Sequence, residues 1–177
     1  WGVALLRSGD RESGIRILRE LAAKRSGDAT GERAALLYAE AMVAGYERKE
    51  EVPGDAEGAT LLLLKEHPSE KAVSIALRAS SAFLGNGEYE RARRAAEGIE
   101  GNRFATGDQV SQARLIQAEA AVFGGDSEAA RGKAAAVLAG PASGGDPGAA
   151  RRARDIYVLS ALKGIDGKVS AGDPKGA

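Results

Sequence analysis

The chain has 177 residues, enough for one ordinary domain, and its hydrophobic share of 44% matches that of a globular protein with an apolar core. Its 25 lysines and arginines balance its 25 aspartates and glutamates, so no long-range field attracts a polyanion or an anionic membrane, and nucleic acid is excluded as an expected partner. Cysteine is absent, which removes disulfides and thiolate metal sites, and the longest aliphatic run, Leu61 to Leu64, falls far short of the roughly 18 residues of a membrane span.

Apolar residues recur at three- and four-residue steps, as in Ile15, Leu18, Leu21 and Ala22, or Ile75, Ala79, Ala82 and Phe83, while strand-like alternation is nowhere sustained. In chain order the pattern predicts helices over Trp1–Arg7, Arg11–Arg25, Gly31–Arg48, Asp55–Glu66, Glu70–Leu84, Tyr89–Glu100, Asp108–Phe123, Ser127–Ala139 and Pro147–Lys163. Glycines such as Gly9, Gly27, Gly45, Gly54, Gly87, Gly101, Gly125 and Gly140 fall between these segments, where they serve as helix stops. Thr106-Gly107-Asp108-Gln109 fits a capping box, Asp146-Pro147 sets a capping carboxylate before a first-turn proline, and Ser69 after Pro68 opens another helix. The last residues, 164–177, are rich in Gly, Lys, Asp and Pro and are expected to form a flexible tail to a helical domain spanning 1–163. The chain opens at Trp1 without a methionine, and Trp1 to Leu6 reads as the second half of a helix, so a leader, a lipid anchor or further repeats are expected upstream. Periplasm or cell envelope and cytoplasm both remain open as compartments, and the Gly/Ala/Arg usage points to a bacterial source.

A local pattern repeats along the chain. Ser8-Gly9-Asp10, Asn86-Gly87-Glu88 and Gly124-Gly125-Asp126 each carry a glycine, an acid and, four positions after the acid, a small residue; Pro53-Gly54-Asp55 begins a more degenerate copy. The small residues are Gly14, Ala59, Ala92 and Ala130. A small side chain at a fixed place after each turn is what two helices need where they cross, because a larger one would push the axes beyond their ~8–10 Å spacing. Gly2, Ser80 and Ala118 supply the same kind of residue on the preceding helices, and Leu18, Leu63, Ala96 and Ala134 occupy a later position that is bulky in the first two copies only.

On these residues the chain resembles the tetratricopeptide repeat family, in a divergent form, over roughly residues 1–163. The resemblance implies an all-α fold, a right-handed superhelix (α-solenoid) of antiparallel helix pairs with about four and a half repeats, whose first helices line a groove that receives an extended peptide or a partner helix. By register it places Ser74, Arg78 and Ser81, then Gln112 and Glu119, then Arg151 and Arg154, in that groove, as polar recognition sites with few large aromatics nearby.

Candidate chemistry is sparse. His67, the single histidine, lacks companions for a metal site and sits at a helix end, where it meets terminal carbonyls. Glu50/Glu51 and Glu88/Glu90 read as solvated carboxylates, Ser80-Ser81 has no identifiable base, and the paired glycines at 124–125 and 144–145 lack a phosphate-loop lysine. Arg91, Arg93 and Arg94, like Arg151, Arg152 and Arg154, read as charged helix faces. The expected function is therefore a non-catalytic scaffold for a protein or peptide partner, without cofactor or metal. Two other readings stand beside it: the helical accessory region of a larger enzyme or regulator, and a self-assembling repeat protein.

Overall fold

The computed structural model describes residues 2–25, 27–140 and 147–170. They form the helices α1 (Gly2–Ser8), α2 (Arg11–Lys24), α3 (Ala29–Glu47), α4 (Pro53–Glu66), α5 (Glu70–Gly85), α6 (Tyr89–Glu100), α7 (Gly107–Gly124), α8 (Ser127–Ala139) and α9 (Pro147–Ser170), with no strand among the described residues. Every predicted helix is present to within a few residues, except that α9 continues past Lys163 to Ser170. A helix already nucleated gains one hydrogen bond per added residue, and no proline interrupts this one before Pro174. Residues 171–177 and Asp146 of the expected cap lie outside the described residues.

Two compact units divide the chain, and the boundary runs within α5. The first takes the residues up to Ala79 with Asn102–Phe104; the second takes Ser80–Gly101 and the described residues from Ala105 on. In the first unit α1 packs on α2, α2 on α3 and α3 on α4; in the second, α6, α7, α8 and α9 pack in succession and α7 also touches α9.

Helix crossings use the small residues as expected. A methyl group added at Gly14 would lie 2.9 Å from the Gly2 carbonyl oxygen and 2.9 Å from the Leu6 side chain, so α1 and α2 meet backbone against backbone. Ala59, Ala92, Ala130, Ser80 and Ala118 are buried, as are Leu18, Leu63, Ala96 and Ala134. In the second unit Leu115, Ala118 and Val122 of α7, Ala130, Ala134 and Val137 of α8, and Ala153 and Ile156 of α9 join in one apolar core. α9 leaves Tyr157, Val158, Leu159 and Leu162 exposed.

The turns carry the repeat more clearly than the glycines do. α5 ends with Glu88 N–H donating to Phe83 O (2.9 Å) and Gly87 N–H to Leu84 O (3.1 Å), the Schellman arrangement, with Gly87 left-handed at φ 79°. α7 ends identically, through Asp126 to Ala121 and Gly125 to Val122, with Gly125 at φ 86°. So does α3, yet its left-handed residue is Lys49 (φ 62°), with Glu50 N–H bonded to Gly45 O and Lys49 N–H to Tyr46 O. This corrects the second copy of the repeat: its turn is Lys49-Glu50, and Pro53-Gly54-Asp55 is the first turn of α4. Gly45 is likewise no helix stop. It lies inside α3, where the Arg11 guanidinium crosses it to reach Ala41 O at 2.8 Å, and a methyl group there would sit 2.0 Å from Arg11 Nη2.

Caps behave as the sequence predicts at two further starts. Thr106 and Gln109 form the reciprocal capping box of α7 (Gln109 N–H to Thr106 Oγ1, 3.2 Å; Thr106 N–H to Gln109 Oε1, 2.9 Å), and Ser69 Oγ accepts from Ala72 N–H at 3.3 Å. His67 is the C-cap of α4, its N–H bonded to Leu63 O at 3.0 Å.

Candidate functional site

Three ion pairs each join a helix to the next but one. Glu47 of α3 binds Arg78 of α5, Glu100 at the end of α6 binds Lys133 of α8 (2.8 Å), and Glu119 of α7 binds Arg152 of α9, with sequence separations of 31, 33 and 33. Each pair lies inside one unit. Of the three couples linked in this way, α7 and α9 also pack against each other.

In the second unit three alternate helices frame one open cleft of about 710 Å³. α7 supplies its floor through Gln112, Ile116, Glu119 and Phe123, residues three or four apart that share a face of the helix. Ser81 and Leu84 come from the end of α5, and Gly148, Ala149 and Arg152 from the start of α9. Tyr89, the first residue of α6, reaches the cleft and stacks on Phe123, with ring centroids 5.3 Å apart and 18° between planes. Phe123 remains 61% exposed.

Polar groups in this cleft are few and arranged. Arg152 donates through Nε (3.2 Å) and Nη2 (2.6 Å) to the same carboxylate oxygen of Glu119, Oε1. Glu119 is mostly covered and Arg152 mostly exposed, at 22% and 56% of the side chain. Such a pair in a partly wetted cleft contributes about 1 kcal/mol or less to stability.

Of the residues that the sequence assigned to a groove, Ser81, Gln112 and Glu119 meet here. Ser74 lines a separate cleft of about 520 Å³ in the first unit, with Leu36, Leu37 and Glu40 of α3 and Lys71 and Ile75 of α5, and its hydroxyl donates to Glu70 O at 3.0 Å. Arg78 is committed to Glu47, whose carboxyl titrates below its ordinary range because of that hydrogen bond, against the opposing effect of burial. Arg151 and Arg154 are exposed and do not line the cleft, whereas Arg152 does. Each residue turns an α-helix by ~100°, so Gly148 and Arg152 share the cleft face and the two neighbouring arginines point elsewhere. Tyr89 and Phe123 were not among the residues expected there, where large aromatics were expected to be few. The spacing Glu119-x-x-x-Phe123 is the one signal that could have placed an aromatic there.

The other candidates resolve into ion pairs. Glu51 accepts from Arg11 at 2.9 Å, and Glu50, held by Arg48, has its carboxyl lowered chiefly by that hydrogen bond. Glu88 pairs with Arg91, and Glu90 and Glu97 flank Arg93 along α6. No group of three or more His, Cys, Asp or Glu side chains able to hold a metal occurs among the described residues, and no helix is long and apolar enough to cross a membrane. In comparison with known proteins the chain matches no family model, no curated protein and no solved structure.

Proposed function

We propose that the chain is a non-catalytic scaffold built of divergent tetratricopeptide-like helix pairs, and that the cleft framed by α5, α7 and α9 holds an extended segment of a partner protein. The observation that carries the reading is the cleft's lining by alternate helices: α7 packs on α9, Glu119 pairs with Arg152 across them, and residues of α5 close the same cleft, as the groove of stacked helix pairs would have it. The repeated Schellman turns after α3, α5 and α7 and the buried small residue in each second helix support the repeat assignment. A trough with an apolar floor, an aromatic pair and separate hydrogen-bonding groups at Ser81 and Gln112 suits a peptide backbone with one or two anchoring side chains.

The test is selection of binders from a random dodecapeptide library on the purified 177-residue chain. Selected peptides are expected to bind at least about tenfold more weakly to Phe123→Ala or Gln112→Ala, the loss usual for an interface anchor, and to slow amide exchange in α7. Peptides that bind both variants as well as the parent would place recognition elsewhere and end this reading.

A further inference from the structure

Within that reading, we infer that the anchoring side chain is an arginine of the bound peptide, lodged between the outer face of Phe123 and the carboxylate of Glu119. The inference rests on the cleft being a peptide site, and its own support is the disposition of three groups. Arg152 delivers both of its contacts to Oε1 of Glu119, which leaves Oε2 without a hydrogen-bond partner among the described residues, and Glu119 lines the cleft. Phe123 stands four residues further along α7, one helical turn away on the same face. Its ring has one face against Tyr89 and is otherwise exposed, at 61%.

A negative oxygen one turn from an open aromatic face is the combination that a guanidinium satisfies. Its plane stacks on the ring within about 6 Å of the centroid while its edge donates to the carboxylate. A lysine ammonium reaches one of these groups well, whereas the planar fork reaches both. Phe123 and Tyr89 also favour a cation over an anion, because the faces of both rings carry the negative lobe of the quadrupole. Among the described residues that line the cleft, Arg152 is the one cation and opposes a second. It sits at the exposed rim and holds Oε1, so its removal frees a further acceptor and takes away a repelling charge.

Two measurements test the inference. Library-selected peptides should share an arginine, and exchanging it for citrulline, its neutral isostere, should weaken binding about 10- to 100-fold, the range of a charge-assisted bond combined with a cation–π contact. Glu119→Gln should cause a similar loss with no further loss on citrulline exchange, and Arg152→Ala should tighten binding. Peptides that need Phe123 yet tolerate citrulline, or that bind Arg152→Ala more weakly, would overturn the arginine assignment and leave the peptide cleft standing. If no peptide is selected, the cleft reading fails, and nuclear magnetic resonance titration with N-acetyl-arginine methylamide decides the cation site alone. Shifts confined to the amides around Glu119 and Phe123, absent with the citrulline analogue and in Glu119→Gln, support it; equal shifts with both compounds, or none, refute it. The melting temperature of each variant, matched to the parent, separates lost binding from lost fold.

Discussion

Gly14 and Lys49 are two residues at which the backbone and the side chain disagree about size. At Gly14 the backbone of α1 leaves no room, since the obstacles to a methyl group include a carbonyl oxygen that cannot rotate away. Gly14→Ala should therefore lower stability by about 1–3 kcal/mol, the usual cost of overpacking, although alanine is the better helix former. At Lys49 the opposite holds: a side chain occupies a left-handed position that Gly9, Gly87 and Gly125 fill in the other turns. Lys49→Gly should raise stability by about 1 kcal/mol by relieving that conformation. Urea unfolding of the two variants checks both, and changes of the same sign would contradict the geometry described. The small residue at 14 was readable, because a repeated glycine or alanine after a turn has few explanations other than close approach. Lys49 was not, because nothing in its identity marks a residue that its neighbours' hydrogen bonds hold left-handed.

Among the elements, α6, α7 and α8 meet at one carboxylate. Glu100 Oε1 accepts from Gln117 Nε2 and from Lys133 Nζ, both at 2.8 Å, and Arg114 Nε lies 3.6 Å from Oε2. Burial works to raise the carboxyl's pKa, but the Lys133 hydrogen bond and charge, with Gln117 and Arg114, outweigh it and hold the group below its ordinary 4.5. A pKa lower in the folded than in the unfolded chain means that the contribution is complete above the unfolded value and disappears as pH falls through the folded one. Glu100→Gln should thus cost about 1–3 kcal/mol at pH 7, as expected for hydrogen bonds to a charged group, and the gap to the parent should narrow as pH drops below 4.5. Denaturation midpoints of the two proteins from pH 7 to pH 3 measure this; a gap that stays constant would show that the charge of Glu100 is not what joins these helices. The helices themselves were legible from periodicity and caps. This junction was not, because the groups around Glu100 come from sequence positions 14, 17 and 33 residues away.

Across the whole molecule, protection should follow how many neighbours a helix has. α7 packs against α6, α8 and α9 and buries a long run of its residues, whereas α1 is seven residues long and packs on α2. Helices stacked mainly on their sequence neighbours open locally, and those with fewest neighbours open first. Native-state amide exchange should accordingly be slowest in α7 and fastest in α1, and uniform protection from end to end would indicate a single cooperative core instead.

The sequence by itself determined that this chain is helical, roughly where most of its helices lie, and which small residues after the turns are buried. These are local matters, set by a 3.6-residue period, by capping groups within three or four positions, and by the recurrence of glycine and alanine after turns. Only the tertiary structure decided which faces of α5, α7 and α9 share a cleft. It set Arg152, rather than Arg151 or Arg154, on that cleft and brought Tyr89 against Phe123. A single residue turns a helix by ~100°, so a face is fixed by how the helix packs on its neighbours, and the sequence pattern alone does not carry that rotation.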